Sequence, residues 1–284
     1  MNNNDPLLRS ALQRIRDAHP LVHCISNIVT AGDCANLALA VGASPIMAQA
    51  PEEMADITHL ADALVLNTGT PGEEKYLACE RAFAAALQKQ IPVILDPVGV
   101  GASPWRLGHI RQILKIASPS VFRVNYSEAQ ILLYGADDTA KAGALPLPQE
   151  KGAASHPEHG VDTSPAASLA ASEEIARALA ETFACTVLLS GPVDIITDGR
   201  RMEHTEGGSR LTRQITGAGC MLSVLCGCFA AVCSDSFEAA LFSSLFWKSC
   251  AAQAERSAAG KGLGSFHTEL FNAAGQAQVS VIRS

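Results

Sequence analysis

Residues 63–99 read ALVLNTGTPGEEKYLACERAFAAALQKQIPVILDPVG, and the reading of this stretch decides the fold. ALVLNTGT (63–70) opens as an unbroken apolar run and breaks into a glycine-bearing loop. PVILDPVG (92–99) does the same and breaks at Asp96. Runs that are apolar without alternation suit strands buried on both faces. Between them EEKYLACERAFAAALQKQ carries helical spacing. Strand, helix, strand in that order calls for a parallel sheet with the helix crossing over it.

The alternation extends in both directions. LVHCIS (21–26) reads as a buried strand ending at Asn27, with His23 a satisfied core histidine. TAGDCANLALAVGA is a helix ending at Gly42, SPIMA (44–48) a short strand, and PEEMADITHLA a helix with proline in its first turn. WRLGHIRQILKIA is a helix and SVFRVN (120–125) a strand. SEAQILLYG is a helix that stops at Gly135, with Ser127 as a candidate cap. LAASEEIARALAETFA and CTVLLSG (185–191) repeat the alternation, and DIITDGRRMEHTEGG predicts a hairpin around Asp198-Gly199. Three helical stretches close the chain, at 219–233, 236–258 and 266–282. Residues 136–168 lack periodicity and are rich in Ala, Gly, Pro and Ser, which predicts a flexible surface loop, an insertion centred on 140–158. The fold class expected is α/β: one domain with a central, mostly parallel sheet covered by helices on both faces.

Composition limits the function. The chain has 284 residues, 48% apolar and 17% charged, so it can bury a substantial core. A net charge of −7 without a basic run disfavours nucleic acid as a partner. Nine cysteines, an odd number without a CxxC pair, read as reduced core thiols and not as a zinc site or a disulfide framework. The opening MNNNDPLLRSALQRIRDAHP has no apolar signal core, and CMLSVLCGCFAAVC is too short to span a bilayer. The expectation is a soluble cytoplasmic protein with no membrane partner.

Polar residues gather where the strands end: Asn27, Met47-Ala48-Gln49, Asn67-Thr68-Gly69, Asp96 and Asn125. In an open α/β sheet that carboxyl edge is where ligands bind. Asp96, emerging from a buried strand, needs a partner or a cation, or it caps the turn that follows. RVNYSEAQ brings Arg123, Asn125 and Glu128 together. Glu128 could favour the N-terminus of its own helix or, with Asp96, help hold a hydrated magnesium ion. ITGAGCM (215–221) sets two glycines before an apolar helix. Bare N–H groups there suit an anion such as phosphate, and they equally suit an ordinary strand-to-helix turn. An anion cradle, two acids and an arginine are the parts of a phosphoryl-transfer site, and no GxxxxGK[ST] loop accompanies them.

PLVHCISNIVT, LALAVGASPIMAQAPEEM, DALVLNTGTP, PVILDPVGVGASPWR, RVNYSEAQIL, GPVDIITDG and ITGAGCMLSV occur in order, and together they closely resemble the hydroxyethylthiazole kinase family. The resemblance runs from about residue 18 to about 275. GASPIMA with PEE, and a cysteine after the GAG turn, set that family apart from its relatives. It implies a ribokinase-like fold and ATP- and magnesium-dependent phosphorylation of 4-methyl-5-(2-hydroxyethyl)thiazole in thiamin salvage. Met47 and Gly217 would contact the thiazole, with Asn27 near it. Arg123, Ser190, Gly219 and Asn125 would serve the nucleotide, Asp96 and Glu128 the magnesium, and Cys220 would act as the base at a helix N-terminus that lowers its pKa. A homotrimer is implied as well.

The departures are local: RVNYSE stands for the usual RGNASE, GLGSF for GPGSF, Ser190 for a usual threonine, and the 140–158 stretch is longer. Two other readings keep the fold: a hydrated-nicotinamide-nucleotide dehydratase, which typically carries aspartate in the glycine turn, and a kinase for hydroxymethylpyrimidine or pyridoxal. A non-catalytic sensor would be expected to lose Asp96, Glu128 or the turn, all of which are present.

Overall fold

In the computed structural model, which describes residues 6–138 and 168–282, the elements follow the order read from the sequence. Helix α1 (Pro6–Ala18) leads into β1 (Leu21–Ile25), α2 (Ala31–Val41) and β2 (Ser44–Ile46). Next come α3 (Met54–Leu60), β3 (Ala63–Asn67), α4 (Glu73–Lys89), β4 (Val93–Asp96), α5 (Pro104–Ile116), β5 (Val121–Val124) and α6 (Tyr126–Asp138). Then α7 (Leu169–Phe183), β6 (Thr186–Leu189), β7 (Asp194–Thr197) and β8 (Met202–Thr205) precede α8 (Ala218–Ala230), α9 (Ser236–Ser257) and α10 (Leu263–Ile282). The insertion expected around 140–158 lies outside the described residues.

The strands form one sheet in the order β2-β1-β3-β4-β5-β6-β7-β8. Pairing is parallel from β2 through β6 and antiparallel for β6–β7 and β7–β8, the last two strands being the hairpin read around Asp198-Gly199. Alternate side chains of β1 and of β3 to β7 enter two separate cores. Val65, Ile94, Val121 and Leu188 join the helices α1, α2, α8, α9 and α10 on one face. Leu64, Leu66, Val93, Leu95, Phe122, Val187 and Leu189 join α3 to α7 on the other. Each such side chain, removed from water, contributes about 1.5–3 kcal/mol. This double coverage is why the strands are apolar without alternation.

Helix α8 is apolar all round, and every residue from Cys220 to Ala230 is buried. It packs between the sheet, at β3 and β4, and the helices α2 and α9. A helix enclosed on all sides has no polar face, and its position over the middle of the sheet brings its first turn to the carboxyl ends of the strands.

Two local readings are corrected. SPIMA leaves the sheet after Ile46, because β2 is an edge strand whose pairing with β1 ends at His23↔Ile46. The cap of α6 is Asn125 and not Ser127: Asn125 Oδ1 accepts from the Glu128 N–H at 2.9 Å while Glu128 Oε2 accepts from the Asn125 N–H at 3.0 Å. The reciprocal pair satisfies two amides that a lone serine at the second helical position could not. Gly135, with φ 61° and ψ 174°, breaks α6 where the sequence indicated a stop.

Candidate active site

Four neighbouring strands carry, at or next to their carboxyl ends, a polar residue two positions after an inward-facing apolar one: Val65 and Asn67, Ile94 and Asp96, Val121 and Arg123, Leu188 and Ser190. Side chains two apart share a face of the sheet, so these four polar groups converge on the face that α8 covers. Register adds to this, since Asn67 and Asp96 are direct partners across β3 and β4.

Asp96 is fully buried and lies at the centre. Its Oδ1 accepts from Arg123 Nη1 at 3.3 Å, and its Oδ2 accepts from Asn67 Nδ2 at 2.9 Å and from Ser223 Oγ at 2.6 Å. Arg123 Nη2 donates to Ser190 Oγ at 2.9 Å, and Ser190 is itself held by its N–H on the Val124 carbonyl at 2.8 Å. The guanidinium is therefore a buried, oriented cation whose place is set by three strands. It lies against Gly219, where an added Cβ would come within 2.3 Å of Nη2. Only glycine permits that approach.

Glu128 closes the arrangement from α6. One carboxylate oxygen takes the Asn125 N–H and the other takes the Gly99 N–H at 3.0 Å, tying the loop after β4 to the loop after β5. Burial first, and then the negative charge of Asp96, push this carboxyl up to about 7, against the opposing pull of Arg123 and the two amides. A buried acid raised by the charge of a neighbouring carboxylate is a place where a further cation would be welcome.

The first N–H groups of α8, those of Ala218, Gly219 and Cys220, precede the first helical hydrogen bond, from Met221 N–H to Gly217 O at 2.8 Å. Gly217 turns the chain into the helix at φ 84° with its Cα against the Thr30 side chain, 2.4 Å from where a Cβ would stand. No side chain caps this terminus. Its partial positive charge thus faces the strand ends, next to Arg123.

Cys220 is buried, and its thiol is raised, first by burial and then by Asp96; Thr30, Arg123 and Asn67 pull the other way. This reverses the lowered value expected from a helix N-terminus. A terminus at the surface favours the thiolate, but here desolvation outweighs the helix dipole.

The remaining expected residues are distributed along the same edge. Asn27 forms a turn, its Oδ1 accepting from the Val29 N–H at 3.0 Å, and its carbonyl takes the Thr30 N–H. That turn brings Thr30 to Gly217. Met47 follows the edge strand, three strands from β4, at roughly 14 Å for neighbours about 4.8 Å apart. It belongs to the edge but not to the Asp96 cluster. Asn125, the cap of α6, flanks Glu128.

Three participants had no role assigned from the sequence. Asn67 was placed at the carboxyl edge, as a polar residue at a strand end two after an apolar one, but without a function. Ser223 carried no signal beyond a hydroxyl in an apolar helix. Lys75, on α4, reaches under the edge and donates to the Ser26 carbonyl at 2.7 Å and to that of Gly69, joining the ends of β1 and β3; burial lowers its pKa. Among the described residues no cluster of three or more His, Cys, Asp or Glu could hold a metal by itself, and no helix is long and apolar enough to cross a membrane.

The sequence pattern of the hydroxyethylthiazole kinase family matches residues 12–143 and 149–279. The hydroxyethylthiazole kinase of Thermoanaerobacter sp. (strain X514) is 38% identical over 264 residues, covering 93% of this chain and 92% of that protein. Among solved structures, the hydroxyethylthiazole kinase protein from Pyrococcus horikoshii OT3 superposes with a TM-score of 0.79 at 31% identity, over 98% of this chain and 96% of that one. The pyridoxal kinase from Staphylococcus aureus in complex with AMP-PCP gives a TM-score of 0.59 at 14% identity, over 82% and 88%, a likeness of fold alone.

Proposed function

The chain belongs to the hydroxyethylthiazole kinase family, and from that membership we propose that it transfers the γ-phosphoryl group of ATP to the primary hydroxyl of 4-methyl-5-(2-hydroxyethyl)thiazole, a step of thiamin salvage. The observation that carries the reading is the buried Asp96–Arg123 pair, held by the half-buried Ser190, beneath an uncapped helix N-terminus. It is a preorganised receptor for a transferring phosphoryl group on a ribokinase-like fold.

In this mechanism the amides of Ala218, Gly219 and Cys220 hold the phosphoryl oxygens. Arg123, locked by Asp96 and Ser190, meets the charge that develops there without having to reorganise. Ser190, Gly219 and Asn125 line the nucleotide side. Met47, Asn27 and Gly217 take the thiazole and orient its hydroxyl for in-line attack. Cys220 Sγ accepts the hydroxyl proton. Its raised pKa leaves little thiolate at neutral pH, and in a loose transition state the proton leaves late, so Cys220 accelerates a reaction that positioning and charge already permit.

Magnesium is part of the proposal. Asp96 and Glu128 are buried acids whose mutual repulsion raises Glu128, and a divalent cation would relieve it. Magnesium takes one or two carboxylates and fills its remaining positions with water and phosphate, which suits this donor set. Bound there, it would neutralise phosphate charge. We assign the exposed apolar pair Ile28 and Val29, beside Asn27, to the subunit contact of a homotrimer. A reducing cytoplasm suits nine free cysteines, eight of them buried.

The test is ATP consumption, with magnesium titrated, on the thiazole alcohol, hydroxymethylpyrimidine and pyridoxal in parallel. The thiazole alcohol should give the highest kcat/KM. A preference for either of the others would replace this reading.

A further inference from the structure

His23 stands in the middle of β1 with its side chain completely out of solvent. In register it pairs with Ile46 of β2 and Leu64 of β3. Its ring makes two hydrogen bonds: Nδ1 with Thr58 Oγ1 of α3 at 3.0 Å, and Nε2 with the Ala48 carbonyl at 3.0 Å. A carbonyl oxygen only accepts, so Nε2 must carry the proton, and Nδ1 then accepts from the Thr58 hydroxyl. Burial holds the pKa of His23 below its ordinary value, which keeps the ring in that neutral tautomer.

The bond to Ala48 falls where the backbone has lost its other support. The edge strand β2 ends at Ile46, and its pairing with β1 ends there too. Immediately beyond, the chain crosses the rim of the sheet: Met47 packs against the core on the α8 face, and Ala48 against the core on the opposite face. The Ala48 carbonyl stands one residue beyond Met47, so holding it fixes the course the backbone takes on leaving Met47. The ring of His23 grips that carbonyl by its oxygen from inside the sheet.

We propose that His23 is a positioning residue for the Met47 loop, holding Met47 where the acceptor substrate binds through the Nε2–H bond to the Ala48 carbonyl. The part concerning substrate rests on the thiazole kinase reading above. The hydroxyl of Thr58 sets the ring plane from behind, so strand, loop and helix α3 are joined at one imidazole.

The test compares His23→Gln with His23→Asn in the full-length protein. Glutamine places an amide nitrogen where Nε2 stands and can still donate to Ala48. Asparagine places its amide where Nδ1 stands and reaches Thr58 only. His23→Asn should raise KM for the thiazole alcohol roughly five- to tenfold, the equivalent of one hydrogen bond, and leave kcat and KM for ATP within about twofold. His23→Gln should restore KM to within about twofold of wild type. Amide hydrogen exchange across residues 47–50 should quicken in His23→Asn and not in His23→Gln. Equal KM and equal exchange in the two variants would overturn the proposal. A measurement on the wild-type protein does not depend on variant folding: the ¹⁵N spectrum should show a neutral His23 with its proton on Nε2, and a proton on Nδ1 would also overturn it. If the wild type leaves the thiazole alcohol unphosphorylated, the functional reading fails, while exchange and tautomer still decide the role of His23.

Discussion

Ser223, in the second turn of α8, donates its hydroxyl to Asp96 Oδ2 at 2.6 Å, joining residues 127 positions apart in the chain. With Asn67 on the same oxygen, it turns the other carboxylate oxygen toward Arg123. A hydrogen bond to a charged acceptor inside the protein is worth about 1.5–3 kcal/mol, so Ser223→Ala should lose about that much stability, with a fall in turnover. Urea unfolding beside a kinetic assay reads both. An unchanged midpoint would mean that Asn67 and Arg123 suffice to hold Asp96.

Asp96→Asn keeps the shape of the side chain and removes its charge. Arg123, almost as deeply buried, loses its carboxylate, and breaking a buried pair from one side costs about 3–5 kcal/mol. The variant should melt lower, lose most activity and require more magnesium for what remains. A magnesium titration that overlays the wild type would remove Asp96 from the metal.

The Glu128 carboxyl, raised from 4.5 to about 7, gives the fold a defined pH response. Between those values the folded protein holds a proton that the unfolded chain releases. Stability from this group is therefore complete below about 4.5 and is lost as pH climbs through about 7. In metal-free buffer, Glu128→Gln should show a flatter decline over this window. Parallel stability curves for mutant and wild type would show that Glu128 is not the titrating group.

Two glycine substitutions should act in opposite directions. In Gly219→Ala the new methyl meets the Arg123 guanidinium, which is held on two sides, so the variant should lose about 1–3 kcal/mol and bind ATP more weakly. Gly108, exposed on α5 with nothing within 4 Å of an added Cβ, should gain roughly 0.5–1 kcal/mol as alanine, with activity intact. Thermal melts and KM for ATP separate the two. Wild-type kinetics in Gly219→Ala would show that Arg123 can move without consequence.

Cys220 predicts an alkaline limb in the pH profile. Because burial raises its thiol, turnover carried by the thiolate should still be rising in the alkaline range. Cys220→Ala should abolish that limb and reduce turnover toward the low end of the ~10²–10⁴-fold typical of general-base loss. Cys220→Asp should keep activity at neutral pH, since a carboxylate begins from a far lower pKa and can be pushed up by burial and remain ionised. A fully active Cys220→Ala beside a destabilised, inactive Cys220→Asp would make Cys220 a packing residue.

Much of the edge is legible in the order of residues along the chain. Each run shows an apolar residue and then, two positions on, a polar one at or near its end: Val65 and Asn67, Ile94 and Asp96, Val121 and Arg123, Leu188 and Ser190. Strand geometry repeats every two residues, so that spacing already places the polar groups on one face. Gly135 and the Asp198-Gly199 turn are equally local, and both fall where the sequence puts them.

Other features arise only when distant segments meet. Ser127 and Asn125 both suit a helix cap, and the choice between them depends on the Glu128 carboxylate, which also holds Gly99 from another loop. The acceptors of Lys75 are carbonyls of two other segments, and Ser223 reads as packing until β4 is brought beneath α8. For Cys220 the local argument even points the wrong way. By itself the sequence determined the order of elements, the parallel sheet and the family, because periodicity and motif spacing are properties of neighbouring residues. The tertiary structure decided which buried groups touch and in which direction their charges shift, because desolvation and hydrogen bonding depend on distances across the sheet that no spacing along the chain encodes.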